Sequence, residues 1–153
     1  MFLNDIDPDA RTRRARVALR DRPEQVVRLA QHLPTLERRL IEQHLMDGLA
    51  VADLARLYRE HPRTTRRRIE RLVTRMHSPE FRLTVLHPDL LPRELRRVAQ
   101  LLFVQGRSLR ETARLTRRTL HRIRNQRTAI QALAQMHDQA IAARYDTRQH
   151  AAS

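Results

Sequence analysis

The sequence predicts an all-α chain: two tandem three-helix units without a β wing, preceded by an N-terminal helix and closed by a long C-terminal helix. Three observations carry this. Only two glycines occur among 153 residues, while Arg, Leu and Ala abound, so little of the chain raises the cost of helical backbone. No stretch sustains the apolar/polar alternation of a half-buried strand. Sliding the chain by 58 residues lays two segments on one another without a gap.

The repeat sets the element order. Leu33-Pro34 falls on Leu91-Pro92, Gly48 on Gly106, Ala55-Arg56-Leu57 on Ala113-Arg114-Leu115, Arg59 on Arg117 and Arg66 on Arg124. Apolar character repeats at Leu40/Val98, Leu45/Phe103, Val51/Leu109, Thr65/Ile123 and Leu72/Ile130. Pro34 and Pro92 suit a first helical turn, where no N–H is needed. The helices they open run to about Asp47 and Gln105, where Gly48 and Gly106 accept the left-handed conformation that stops a helix. A short second helix follows, announced in the second copy by the capping box Ser108-Leu109-Arg110-Glu111 and weaker in the first, where Ala50 replaces the Ser. The third helix begins near His61-Pro62 and near Thr119.

Around the repeat, residues 9–32 read as one helix starting at Asp7-Pro8 or Asp9, with loosely periodic apolar positions at Val17, Leu19, Val26, Val27, Leu29 and Ala30. Residues 78–90, with Pro79, His87-Pro88 and Asp89, read as a short acidic linker between units at 33–77 and 91–145. The last helix continues to about Tyr145. Its Ile130, Leu133, Ala134, Met136 and Ile141 are placed to fold back or to pair two copies in a homodimer. Residues 146–153 are expected to be a frayed, disordered tail.

The formal net charge is +14, and all 31 basic residues are Arg. A GC-rich genome accounts for Arg in place of Lys, but not for the excess of base over acid. That excess attracts polyanions, of which nucleic acid is the commonest. It is also clustered: residues 91–130 hold eleven Arg against two acids, and residues 55–77 hold eight Arg against Glu60 and Glu70. No stretch is long and apolar enough to span a bilayer, and the N-terminus lacks a basic-then-apolar signal pattern, so the expectation is a cytoplasmic, nucleoid-associated protein.

Enzyme chemistry finds no apparatus. Cys is absent, the three serines are Ser78, Ser108 and Ser153, no Gly-rich phosphate loop occurs, and the His residues do not fall at zinc spacing with a carboxylate partner. The expectation is no enzyme, no metal and no cofactor.

Two helices joined by a tight turn, the second studded with long polar donors, make up the helix-turn-helix that places a recognition helix in the DNA major groove. Ala55 and Ala113 supply the small residue where such helices cross, and Leu54, Leu57, Thr65 and Ile69 are expected to fix their angle in the first copy. The expected DNA-contacting residues are His61, Arg63, Thr64, Arg66, Arg67, Glu70 and Arg71 in the first copy. In the second they are Arg118, His121, Arg122, Arg124, Asn125 and Gln126. Arg pairs bidentately with guanine and Asn or Gln with adenine, while other Arg bind phosphates and set the register.

The stretch Leu33-Pro34…Gly48…Asp53-Leu54-Ala55…Pro62-Arg63-Thr64-Thr65-Arg66-Arg67-Arg68-Ile69 resembles region 4 of bacterial RNA polymerase sigma factors. Leu91-Pro92…Gly106-Arg107-Ser108…Glu111-Thr112-Ala113 is similar to the same pattern, and the two cover about 90 residues of the chain. The resemblance implies reading of a promoter element and contact with RNA polymerase. Two features depart from it. Arg59 and Arg117 stand in the turn where the family often has Gly, and Arg127 stands where a core Leu is usual, which implies a rotated third helix or a different start. Residues 1–32 are expected to be too short and too poor in aromatics to serve as a promoter-melting domain. The expected function is therefore sequence-specific double-stranded DNA binding by a sigma-like transcription regulator, such as a phage or mobile-element factor or one half of a split factor. A module holding polymerase or an anti-sigma-like partner, and the DNA-binding part of a mobile-element recombination system, stay open as alternatives.

Overall fold

The computed structural model describes residues 8–151, and every regular element among them is helical. The chain divides between His77 and Ser78 into two compact units. The first holds α1 (Pro8–Asp21), α2 (Pro23–Ala30), α3 (Thr35–Leu45), α4 (Val51–Tyr58) and α5 (Pro62–Met76). The second holds α6 (Pro79–Leu86), a 3₁₀ turn at Pro88–Leu90, α7 (Arg93–Ala99) running into a π-helical turn at Gln100–Val104, then α8 (Leu109–Thr116) and α9 (Leu120–Ala151).

Two segments differ from expectation. The N-terminal helix is two helices. Pro23 has no N–H to continue the ladder and pushes the residue before it out of the helical region, and Arg22 sits at φ −141°, ψ 53°. Pro23 then opens α2, whose Val26 and Ala30 are buried. Helix α1 lies on α5, with Ala15 buried and Arg16 Nε donating to Glu70 Oε1 at 2.8 Å. The expected linker is likewise core. Ser78 caps α6 by accepting from Phe81 N at 3.2 Å, and Phe81, Leu83 and Thr84 are buried against α7, the π turn and α9. The Phe81-x-Leu83 pair sits behind a Ser-Pro helix start, which is why the acidic, Pro-bearing flanks read as linker while the middle packs.

The 58-residue repeat is also a repeat of local geometry. Helices α4 and α8 cover equivalent residues, and α5 and α9 start at equivalent residues. Gly48 and Gly106 have φ of 68° and 66°. Behind them Leu49 N donates to Gln43 O at 3.1 Å, and Arg107 N to Leu101 O at 2.8 Å. Arg59 (φ 54°, ψ 42°) and Arg117 (φ 53°, ψ 41°) both adopt the left-handed turn conformation that favours glycine. Each turn is closed by the next residue, with Glu60 N on Ala55 O at 2.8 Å and Arg118 N on Ala113 O at 3.0 Å. The buried positions correspond as well: Leu33/Leu91, Leu40/Val98, Ile41/Ala99, Leu54/Thr112, Thr65/Ile123, Leu72/Ile130 and Met76/Ala134.

The two cores part at the third helix. In α5 the buried stripe includes Ile69 and Val73, and the neighbouring Glu70 pairs with Arg16 of α1. In unit two the equivalent Arg127 is exposed and Gln131 only half-buried, and the stripe shifts to take in Gln126. Leu57, expected to fix the interhelix angle, is 59% exposed, as is its equivalent Leu115 at 47%. Helix α9 is continuous through Tyr145 to Ala151, past the residue where fraying was expected; residues 152–153 lie outside the described part. Ile130 and Ala134 are buried within unit two and so are closed to a second copy, whereas Met136 is exposed. The His137 ring packs at 4.7 Å on that of His87. No helix among the described residues is long and apolar enough to cross a membrane.

Candidate nucleic-acid interface

The start of α5 is built by His61-Pro62. Pro62 fills the first turn, and the His61 ring caps it, its Nδ1 accepting from Arg63 N at 3.2 Å. Behind this start the turn is clamped to the helix. Glu60 accepts from Thr65 Oγ1 at 3.1 Å and from Arg68 Nη1 at 2.9 Å. The Arg68 guanidinium lies 5.6 Å from the Tyr58 ring centroid, and Tyr58 in turn donates to Gln43 Oε1 at 2.8 Å. The buried stripe of Thr65, Ile69, Leu72, Val73 and Met76 then leaves Arg63, Thr64, Arg66, Arg67 and Arg71 exposed.

Arg63, Arg67 and Arg71 follow one another at four-residue steps, so they form one row on the solvent side of α5. Arg71 Nε donates to Arg67 O at 3.3 Å. Like charges at this spacing cost a helix roughly 0.2–0.5 kcal/mol per pair. A polyanion laid along the row removes that cost. Glu70 does not join the row. It is 13% exposed and its carboxylate is engaged by Arg16 of α1, so it positions α1 and is withdrawn from the expected contact set.

The start of α9 is capped by Thr119, whose Oγ1 accepts from Arg122 N at 3.2 Å. His121, Arg122, Arg124 and Asn125 are exposed, together with Thr128, and Asn125 Nδ2 lies 3.1 Å from His121 Nε2. Two expected contact residues are instead tied to one another, Gln126 buried and Arg118 half-buried. Gln126 is 8% exposed and accepts at Oε1 from Arg118 Nη1 at 3.0 Å; the same Arg118 nitrogen reaches Glu94 O at 3.2 Å. Arg118 and Gln126 stand at the positions of Glu60 and Arg68, so each unit ties its turn to its third helix with the same two positions. The tie is an ion pair in one unit and an Arg–amide bond in the other. Burial of the stripe that carries Ile123, Ile130 and Ala134 drags Gln126 inside with it.

A further basic surface escaped the sequence reading. Arg107, Arg110, Arg114 and Arg117 are exposed along α8 and its flanks. Among them only Arg107 has an acidic partner within ion-pair distance among the described residues, Glu111 at 3.5 Å. On α4 the equivalents of Arg107 and Arg110 are Leu49 and Ala52, and Arg56 pairs with Asp53 at 3.4 Å. Spacing at 110 and 114 was the available signal, since those two residues share one face of α8 and Arg117 follows at its end. At the head of α8 the capping box forms: Glu111 N donates to Ser108 Oγ at 3.1 Å and Ser108 N to Glu111 Oε2 at 3.0 Å. The Ser108 backbone N–H, then its hydroxyl, and the nearby Arg107 charge hold the Glu111 carboxyl below the ordinary Glu range against slight desolvation.

Among the described residues no three His, Asp or Glu side chains gather closely enough to hold a metal ion. What the two faces offer is N–H donors and positive charge, suited to phosphate and to base edges. Comparison of the chain with family models, curated proteins and solved structures finds no match.

Proposed function

We propose that the chain is a sequence-specific double-stranded DNA-binding transcription regulator, built from two helix-turn-helix modules of the sigma region 4-like type. Helices α4 and α5 form the first module and α8 and α9 the second. The observation that carries this reading is the doubled motif: a helix, a left-handed Arg turn and a third helix, repeated at one offset and each time presenting exposed hydrogen-bond donors. Residues 63, 67 and 71 of α5 and 121 and 125 of α9 face the bases, and Arg122 and Arg124 the nearby phosphates. The Arg110, Arg114 and Arg117 face of α8 adds phosphate contacts. The reading assigns no catalysis, and a nucleoid location follows from it.

Titration of fluorescent duplex DNA with the full chain at several salt concentrations tests this. Affinity falls linearly on a log–log scale, with a slope of about −0.9 per phosphate neutralised. No binding at low salt overturns the reading.

A second reading, contact with RNA polymerase or an anti-sigma-like partner, is favoured by one feature. Leu57 and Leu115 are exposed at equivalent positions on α4 and α8, where the core does not need them. Leu57→Ser and Leu115→Ser then weaken capture of polymerase and leave DNA affinity unchanged.

A further inference from the structure

From the exposed side chains of the two third helices we infer that the modules read different bases: the first guanine, the second adenine. The inference rests on the DNA-binding reading above and names what each module recognises. Its basis is the correspondence of positions. The helices start from the same turn, so residues 58 apart occupy equivalent places at the head of each. At the solvent-facing row, Arg63 meets His121, Arg67 meets Asn125 and Arg71 meets Ala129. All six side chains are exposed.

The chemistry of the two rows is opposed. A guanidinium fork donates twice and matches the O6 and N7 acceptors of guanine. A side-chain amide donates once and accepts once, which matches N6 and N7 of adenine and not the two acceptors of guanine. The α5 row carries forks alone. The α9 row carries an amide at its centre, held 3.1 Å from the ring nitrogen of His121, and the row has no guanidinium.

Packing removes three of the residues that would blur this division. Gln126, a second adenine reader by type, is buried and spent on Arg118. Glu70, whose carboxylate would accept from cytosine, is held by Arg16. Arg68 is turned inward to Glu60. The Arg of unit two lie instead beside the row, at 122 and 124, and on the α8 face at 110, 114 and 117, where they serve phosphate rather than base.

The test is selection of duplexes from a random-sequence pool by the full chain, repeated with Arg67→Ala, Asn125→Ala and Arg67→Asn. Both positions are exposed, and thermal unfolding checks that each variant folds as the parent does. The parent selects a guanine-based element and an adenine-based element. Arg67→Ala loses the first alone and Asn125→Ala the second alone, each by roughly 5- to 150-fold in discrimination at the affected base. Arg67→Asn replaces guanine by adenine in the first element. Selection of a single element, or loss of both elements in either single variant, overturns the assignment while leaving DNA binding intact. Recovery of no enriched sequence, with no duplex retained at low salt, overturns both the assignment and the DNA-binding reading.

Discussion

Helices α5 and α9 leave the same left-handed turn and then follow different rules. In α5, Ile69 and Val73 are part of the buried stripe, and the row at 63, 67 and 71 is left outside. In α9 the residue equivalent to Ile69 is Arg127, exposed, and the buried stripe moves toward Gln126. The difference separates two jobs. The turn, fixed by Gly48/Gly106, Arg59/Arg117 and Ala55/Ala113, is scaffold. What each third helix shows to solvent depends on which of its residues its own unit buries.

The largest test of that separation exchanges the two flanking residues. Ile69→Arg puts an unpaired charge into the core of the first unit and is expected to destabilise the protein by about 4 kcal/mol in urea unfolding. The reverse change, Arg127→Ile, falls on an open surface and stays within about 0.5 kcal/mol. Next is the clamp of unit two. Arg118→Ala leaves the buried Gln126 amide without its donor and costs about 1–3 kcal/mol.

The helix caps sharpen the contrast at smaller scale. Ser108→Ala costs about 1 kcal/mol, while Ala50→Ser, which gives α4 the cap it lacks, adds up to about the same. The Ser108 cap also carries a pH signature. Because folding lowers the Glu111 pKa, its carboxylate stabilises the fold above the ordinary Glu range of about 4.3 and stops doing so as pH falls through the lowered value. The difference between the parent and Ser108→Ala is therefore full near neutrality and shrinks below about pH 4. Smallest is the turn itself. Arg59→Gly and Arg117→Gly each relieve left-handed backbone strain, offset by the chain entropy of glycine, for a net gain of about 0.5 kcal/mol in thermal unfolding.

Much of the scaffold was legible because its determinants are local. Gly48 and Gly106, the Ser108–Glu111 box and Pro62 act within a turn of themselves, and their spacing set the starts of α4, α5 and α8. The misreadings at the flanks have long-range causes. Pro23 was available as a break, yet the residues around it are helical on both sides. Phe81 and Leu83 read as linker because their partners on α7 and α9 lie well downstream. At the site, Arg63, Arg67 and Arg71 were among the expected contacts and are exposed. The engagement of Glu70, Arg118 and Gln126 was not legible, since Arg16 lies 54 residues before Glu70 and the Arg118 clamp depends on Glu94 as well as on its own helix.

The central claim is that the exposed rows of the third helices, not bulk positive charge, bind DNA. It is tested by duplex affinity of Arg63→Ala/Arg67→Ala/Arg71→Ala against Arg20→Ala/Arg22→Ala/Arg28→Ala, which removes the same charge from the exposed surface of α1 and α2 and the turn between them. The account predicts that the first variant loses affinity by at least about 3 kcal/mol, at about 1 kcal/mol or more for each of its three contacts, while the second stays close to the parent. Equal losses in the two variants would contradict it.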